Sequence, residues 1–179
     1  MDFEKGKKFA QKFCDEIFVG MRAQEFEFLQ CRFENCRFVR CGFLETIFSR
    51  CEFANCEFLE CTFSECEFSE CKAEAATAKN CVFFESKFFF VESENFLFEK
   101  TEFFDAKFGN ALASAPFRMT NFLFAECDFE RPEFFPNVEF DTTSFKKCKF
   151  WNAKTLKNDA FSTAMRDCVV LPRPESFSA

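Results

Sequence analysis

Large apolar residues recur along this chain every five positions. The series Phe33, Phe38, Phe43, Phe48, Phe53, Phe58, Phe63 and Phe68 runs back through Phe28, Ala23 and Phe18 to Phe13, and forward through Ala73, Ala78, Phe83, Phe88, Ser93, Phe98 and Phe103 to Phe108; sixteen of these twenty positions are Phe. Two residues before each centre a small residue recurs: Cys31, Cys36, Cys41, Thr46, Cys51, Cys56, Cys61, Cys66, Cys71, Ala76, Cys81 and Ser86. The other three positions of each unit are mostly polar or charged. A period of five fits neither a helix at 3.6 nor a flat strand at 2. It fits a coil that turns a corner every five residues, each side sending one large and one small side chain inward. Four sides close a square, so residues twenty apart stack at roughly the inter-strand spacing of 4.8 Å.

The units CRFEN, CRFVR, CEFAN, CEFLE, CTFSE and CEFSE (within residues 31–70) resemble the pentapeptide-repeat family, whose pattern is A(D/N)LXX with Leu or Phe at the centre. Here Cys stands where the family often has Ala. The resemblance covers about residues 11–155 and implies an all-β fold, a right-handed quadrilateral parallel β-helix. The register slips after Phe108, to Ser114, Met119, Phe124, Phe129 and Phe134, and again to Phe140, Phe145, Phe150 and Thr155. Each slip reads as a one-residue insertion at a corner, which gives about seven coils and no long projecting loop. Gln11 and Glu16 occupy the small inward position, which predicts an irregular start to the β-helix of residues 1–155. Leu156, Ala160, Phe161, Ala164 and Met165 fall at helical spacing, so residues 156–179 are expected to form a capping helix, Leu156 to Asp167, and a tail.

Composition narrows the function. The chain has 35 Phe, no Tyr, no His and thirteen Cys. One large residue type implies one niche repeated many times. The thiols stack in columns (Cys31, Cys51, Cys71; Cys36, Cys56; Cys41, Cys61, Cys81) and read as small buried hydrophobes. Parallel Cβ vectors are poor geometry for disulfides, which suits a reducing compartment. The charged first twelve residues lack the apolar segment of a signal peptide, and no apolar run approaches the roughly 18 residues of a membrane span. The expectation is a cytoplasmic protein with no membrane contact. Without His, Cys/His zinc sites and His-based triads are excluded, and there is no glycine-rich phosphate loop or GxSxG. No catalysis, cofactor or metal is expected.

Ala73, Ala78 and Ser93 thin the core on two adjacent sides, and Val91 and Phe96, large for the small position, are expected to refill it. Charge is uneven: residues 1–50 carry a net +1, 51–105 a net −9, and 106–179 a net +1. Glu45, Glu65, Glu85 and Asp105 share one outward position in four successive coils, and like charges opposed across strands destabilise. Glu60 and Glu70, from the coil 51–70 that has no Lys or Arg, complete the candidate acidic surface. Beside the stripe lie Leu44, Phe84 and Phe104, with Phe89 and Phe90 expected on the next side as an apolar contact patch open to self-association as a homodimer.

Within the resembled family, the quinolone-resistance proteins are dimeric DNA mimics that bind DNA gyrase and topoisomerase IV. The resemblance therefore implies a type II topoisomerase as protein partner and repulsion of nucleic acid itself. The alternative is a structural or adaptor module that binds through its Phe patch.

Overall fold

A computed structural model describes residues 2–89, 92–109, 117–135, 138–153 and 164–171. Strands of mostly three residues pair in parallel with the strand one coil away. Phe33 sits between Phe13 and Phe53, Phe38 beside Phe58, and Phe43 beside Phe63. At each corner one residue adopts the left-handed conformation, as at Asn35 (φ 55°), Arg40 (52°), Glu45 (49°) and Arg50 (54°). Four corners per twenty residues make four faces. Face A is centred on Phe43, Phe63, Phe83, Phe103, Phe129 and Phe150; face B on Phe28, Phe48, Phe68, Phe88, Phe108 and Phe134. Face C begins Phe13, Phe33, Phe53, Ala73, Ser93, and face D runs Phe18, Phe38, Phe58, Ala78, Phe98, Phe124, Phe145. The result is the all-β parallel solenoid of about seven coils that the five-residue period requires.

The rings hold the tube together. Along face A, Phe43 stacks on Phe63 at 4.8 Å and Phe63 on Phe83 at 4.5 Å, with ring planes within 5° of parallel. Around one coil neighbouring rings meet edge to face, as Phe33 does with Phe38 at 5.7 Å. Both are favoured aromatic geometries. The backbone is satisfied at most bends, where the corner N–H donates to the coil above: Asn35 N–H to Ala54 O at 2.9 Å, Glu45 N–H to Ser64 O at 2.9 Å.

The small inward position has a chemical requirement besides size. The Cys51 thiol donates to Phe28 O, 3.1 Å away and one coil below, and lies 3.6 Å from Ser49 O across the corner. Thr46 and Ser86 hydroxyls make the same pair of contacts. Cys, Thr and Ser interchange here because each supplies a short donor to carbonyls at the bend, while Ala76 and Ala106 show that size alone is tolerated. Eleven of the thirteen thiols are buried, and all are free. Burial pushes the Cys56 and Cys66 thiols up to about 12, far from the reactive thiolate.

Several expectations change. The coil is regular from its first strand: Asp2–Phe9 pairs in register with Arg22–Leu29. Gln11 and Glu16 are tolerated because both are exposed. At the other end, Met165–Arg166 and Val169–Leu171 are strands, paired with Phe145–Lys146 and Lys149–Trp151, and Asp167 is a corner (φ 53°). The expected helix is therefore corrected over its last residues, and the solenoid extends past residue 155; residues 154–163 lie outside the described residues. Cys168, twenty residues after Cys148, donates to Phe145 O at 3.3 Å, so the five-residue grid overrode a helix-like pattern there.

The first register slip is larger than expected. Phe98, Phe103 and Phe108 pair with Phe124, Phe129 and Phe134, twenty-six residues on, so this coil holds six additional residues between Phe108 and Met119, where one was expected. The expectation of no long projecting loop falls here on residues 110–116, Ser114 among them, which lie outside the described residues. The second slip is the single residue expected, with Met119 paired to Phe140. Face C is interrupted at the larger insertion: the ladder ending at Glu92–Glu94 is separate from the Phe117–Thr120 and Val138–Asp141 pair.

The thinned core is refilled mainly by Phe96, whose ring lies 4.4 Å from Phe98 and 5.9 Å from Phe122. A cavity of about 40 Å³, lined by Ala73, Ala78 and the surrounding rings, remains. Val91 lies outside the described residues.

Two outcomes follow from this packing. Phe63→Ala, at a fully buried ring, is expected to cost about 3–5 kcal/mol, read as a fall in the urea midpoint; a loss within experimental error would contradict ring-stacked stability. A thiol reagent at pH 8 is expected to label at most the two incompletely buried thiols, Cys14 and Cys168, in the native protein and all thirteen after denaturation; rapid labelling of the buried columns would contradict the packing.

Candidate functional site

A twenty-residue register makes every surface residue a vertical neighbour of the residue one coil away. Where both neighbours are charged they are mostly of opposite sign, although Glu74 faces Glu94 and Lys87 faces Lys107. Arg32 pairs with Glu52 at 3.6 Å, Arg40 with Glu60 at 3.2 Å, Arg50 with Glu70 at 2.9 Å and Lys79 with Glu99 at 3.2 Å. Arg37 pairs with Glu57, and Lys149 with Asp128 at 3.6 Å. Each exposed pair is worth at most about 1 kcal/mol, but together they show what a freely varying surface does with its charge. The apparent acidity of residues 51–70 is largely answered by arginines of the coil below.

The corner between faces A and B differs. Its successive residues are Lys5, Glu25, Glu45, Glu65, Glu85, Asp105 and Arg131, all in the left-handed conformation. Lys5 closes one end by pairing with Glu25 at 3.2 Å. Arg131 closes the other, its Nε donating to Asp105 Oδ1 at 2.8 Å, and those hydrogen bonds hold the guanidinium pKa above its ordinary value. Between these ends Glu45, Glu65 and Glu85 are exposed, and among the described residues none of them has an ion-pair partner. Glu65 and Glu85 N–H each donate to the coil above at 2.8 Å, so the three Cα atoms are held one strand spacing apart.

Both local physics and electrostatics disfavour this choice. The left-handed region suits Gly, Asn or Asp better than Glu. On the corner between faces C and D, Asn35 and Asn55 occupy it, Asn55 Nδ2 donating to Asn35 Oδ1 at 3.2 Å. The glutamate corner has no such ladder and opposes like charges.

The six carboxylates expected to act together therefore separate. Glu45, Glu65 and Glu85 form one unneutralised column. Asp105 continues it but is held by Arg131. Glu60 and Glu70 lie on the other two corners flanking these faces, paired with Arg40 and Arg50. Glu25 was missed, although the same twenty-residue spacing identifies it.

Beside the column, face A is uncharged over three coils. Its outward residues there are Gly42 and Leu44, Thr62 and Ser64, Val82 and Phe84, followed by Glu102 and Phe104. Phe84 is 41% exposed. Phe104 and, across the corner, Phe89 are half-buried. Phe90 lies outside the described residues. Among the described residues no group of His, Cys, Asp and Glu could hold a metal ion, and no helix is long and apolar enough to cross a membrane.

No protein-family model matches the chain, and no curated protein sequence does. Among solved structures, the fold is similar to QnrB1, a plasmid-mediated fluoroquinolone resistance protein, at 16% identity over 96% of this chain and 92% of that one, with a TM-score of 0.42. It is also similar to HetL, a pentapeptide-repeat protein involved in heterocyst differentiation regulation in the cyanobacterium Nostoc sp. strain PCC 7120. There the identity is 11% over 93% of this chain and 86% of that one, with a TM-score of 0.30. At these scores the likenesses carry no argument, and the fold stands on this chain's own ladders.

If the column is kept for binding, relieving it should help folding. Glu65→Asn, which removes one charge and suits the left-handed corner, is expected to stabilise the protein by up to about 1 kcal/mol, measured as a raised denaturation midpoint. A lowered midpoint would show that the glutamates serve the fold.

Proposed function

We propose that the protein acts without chemistry of its own, as an anionic ligand of a basic surface on a DNA-handling protein. The observation that carries this reading is the run Glu45, Glu65, Glu85, left without counter-charges among the described residues on a rod that pairs most of its other charged columns. A binding site for DNA recognises chiefly a regular line of negative charge, because phosphates dominate affinity. A rigid corner that repeats a carboxylate at one strand spacing presents such a line.

The magnitude limits the mimicry. Duplex DNA carries a charge about every 1.7 Å of axis, whereas one corner offers a carboxylate about every 4.8 Å. The column can replace a few phosphates of one strand and not a whole duplex. The family resemblance makes DNA gyrase or topoisomerase IV the partner to test first. The same acidity disfavours direct contact with nucleic acid.

The test is a supercoiling assay with DNA gyrase, with and without a quinolone, joined to a binding measurement across salt concentrations. The wild-type protein is expected to alter gyrase activity or its quinolone sensitivity. The Glu45→Lys, Glu85→Lys double variant is expected to lose binding by at least ten-fold while keeping its circular dichroism spectrum. Binding that is unchanged in the double variant and insensitive to salt would reject the electrostatic reading and favour an adaptor role through the apolar face.

A further inference from the structure

The uncharged stretch of face A is an unpartnered sheet face with a definite chemistry along one border. Leu44, Val82, Phe84 and Phe104 give it apolar relief, and Ser64 leaves a shallow break between Leu44 and Phe84. The Glu45, Glu65, Glu85 column runs along its edge, each carboxylate being the next residue in the chain after Leu44, Ser64 and Phe84. From this juxtaposition we infer that face A and its glutamate edge together form a docking surface for an amphipathic α-helix lying along the rod, with an apolar stripe on the face and a row of Lys or Arg on the glutamates. This deepens the reading above, on which it rests, by naming the element of the partner that is bound.

Three considerations select a helix. The backbone groups of the face are already spent on the coils above and below, as at Thr62 N–H to Cys41 O and Val82 N–H to Cys61 O, both 2.9 Å. A partner strand therefore finds no edge to extend, and recognition must run through side chains. The second is pitch. A helix returns the same side every 5.4 Å, while the glutamates repeat about every 4.8 Å. The mismatch from Glu45 to Glu85 is about 1 Å, within the reach of flexible Lys side chains. An extended strand returns the same side about every 6.6 Å and drifts by about 3.6 Å over the same distance, three times as far. The third is charge complementarity. A partner that covers only the apolar face leaves the glutamates unanswered, and one that meets only the glutamates leaves Phe84 in water. Apolar stripe and basic row must sit on adjacent sides of one element.

The experiment uses the full chain and two helical peptides of identical composition. The first carries a Leu stripe with Lys at i, i+4, i+7 and i+11 on the adjacent flank; the second carries the same Lys residues on the side opposite the Leu stripe. Binding is measured by fluorescence anisotropy at low and moderate salt. The first peptide is expected to bind at least ten-fold more tightly than the second. Phe84→Ser and Glu65→Gln are each expected to weaken it several-fold, and Ser64→Leu, which completes the apolar column, to strengthen it. Since these positions face solvent, unchanged melting curves are expected for Phe84→Ser and Ser64→Leu, and a melting midpoint no lower than that of the wild type for Glu65→Gln. Equal, salt-sensitive binding of both peptides would overturn the helix inference and leave the electrostatic partner reading standing. Binding of neither peptide at low salt would count against both.

Discussion

The constraint beneath every feature of this protein is the vertical stacking of phenyl rings at about 5 Å through a coil of twenty residues. A ring stacked parallel on its neighbour and edge-on to the rings beside it fills the tube completely, so one side chain solves the packing of nearly every wall. Where the ring is missing, at Ala73, Ala78 and Ser93, the wall loosens. A cavity remains, a larger residue moves into the small position, and the ladder of face C breaks nearby. These three departures from the repeat thus fall in one region of the rod.

The same stacking dictates the surface. Once the register is set by the rings, each outward residue has no choice of neighbours above and below. Opposite charges in those places cost nothing to arrange, and most of the rod uses them. The corner between faces A and B refuses the arrangement over three coils, in a backbone conformation that glutamate does not favour. Stability alone offers no reason for this; the partner proposed above, bearing the missing positive charges, would supply one. Lys5 and Arg131 matter to this reading because they close the column at its ends and confine the unanswered charge to a short length.

Binding by such a surface is a problem of registry. Backbone groups consumed between coils hold the outward residues at a fixed spacing, to which the proposed partner would have to conform. An apolar strip beside the charged edge adds a second condition on the same element. In the proposed complex, electrostatics would draw the partner in from a distance and fix its register, while the phenyl surface of Phe84 and Phe104 would reward close contact.

How much was legible in the chain follows from where the information lies. Because the repeat is local and each side chain's fate depends only on its place in the five, the sequence by itself determined the period, the four walls, the ring columns, the thiol columns and the common position of Glu45, Glu65, Glu85 and Asp105. It also held the signal for the last coil, in the spacing of Cys148 and Cys168, which a helix-like run obscured. Only the tertiary structure decided what answers each charge. Pairing Glu60 with Arg40, Glu70 with Arg50 and Asp105 with Arg131 depends on side chains meeting across coils, twenty or twenty-six residues apart, and on the length of an insertion. That length is a property of the ladder it joins: Phe108 pairs with Phe134, and no count along residues 109–118 could show it without the strands on either side.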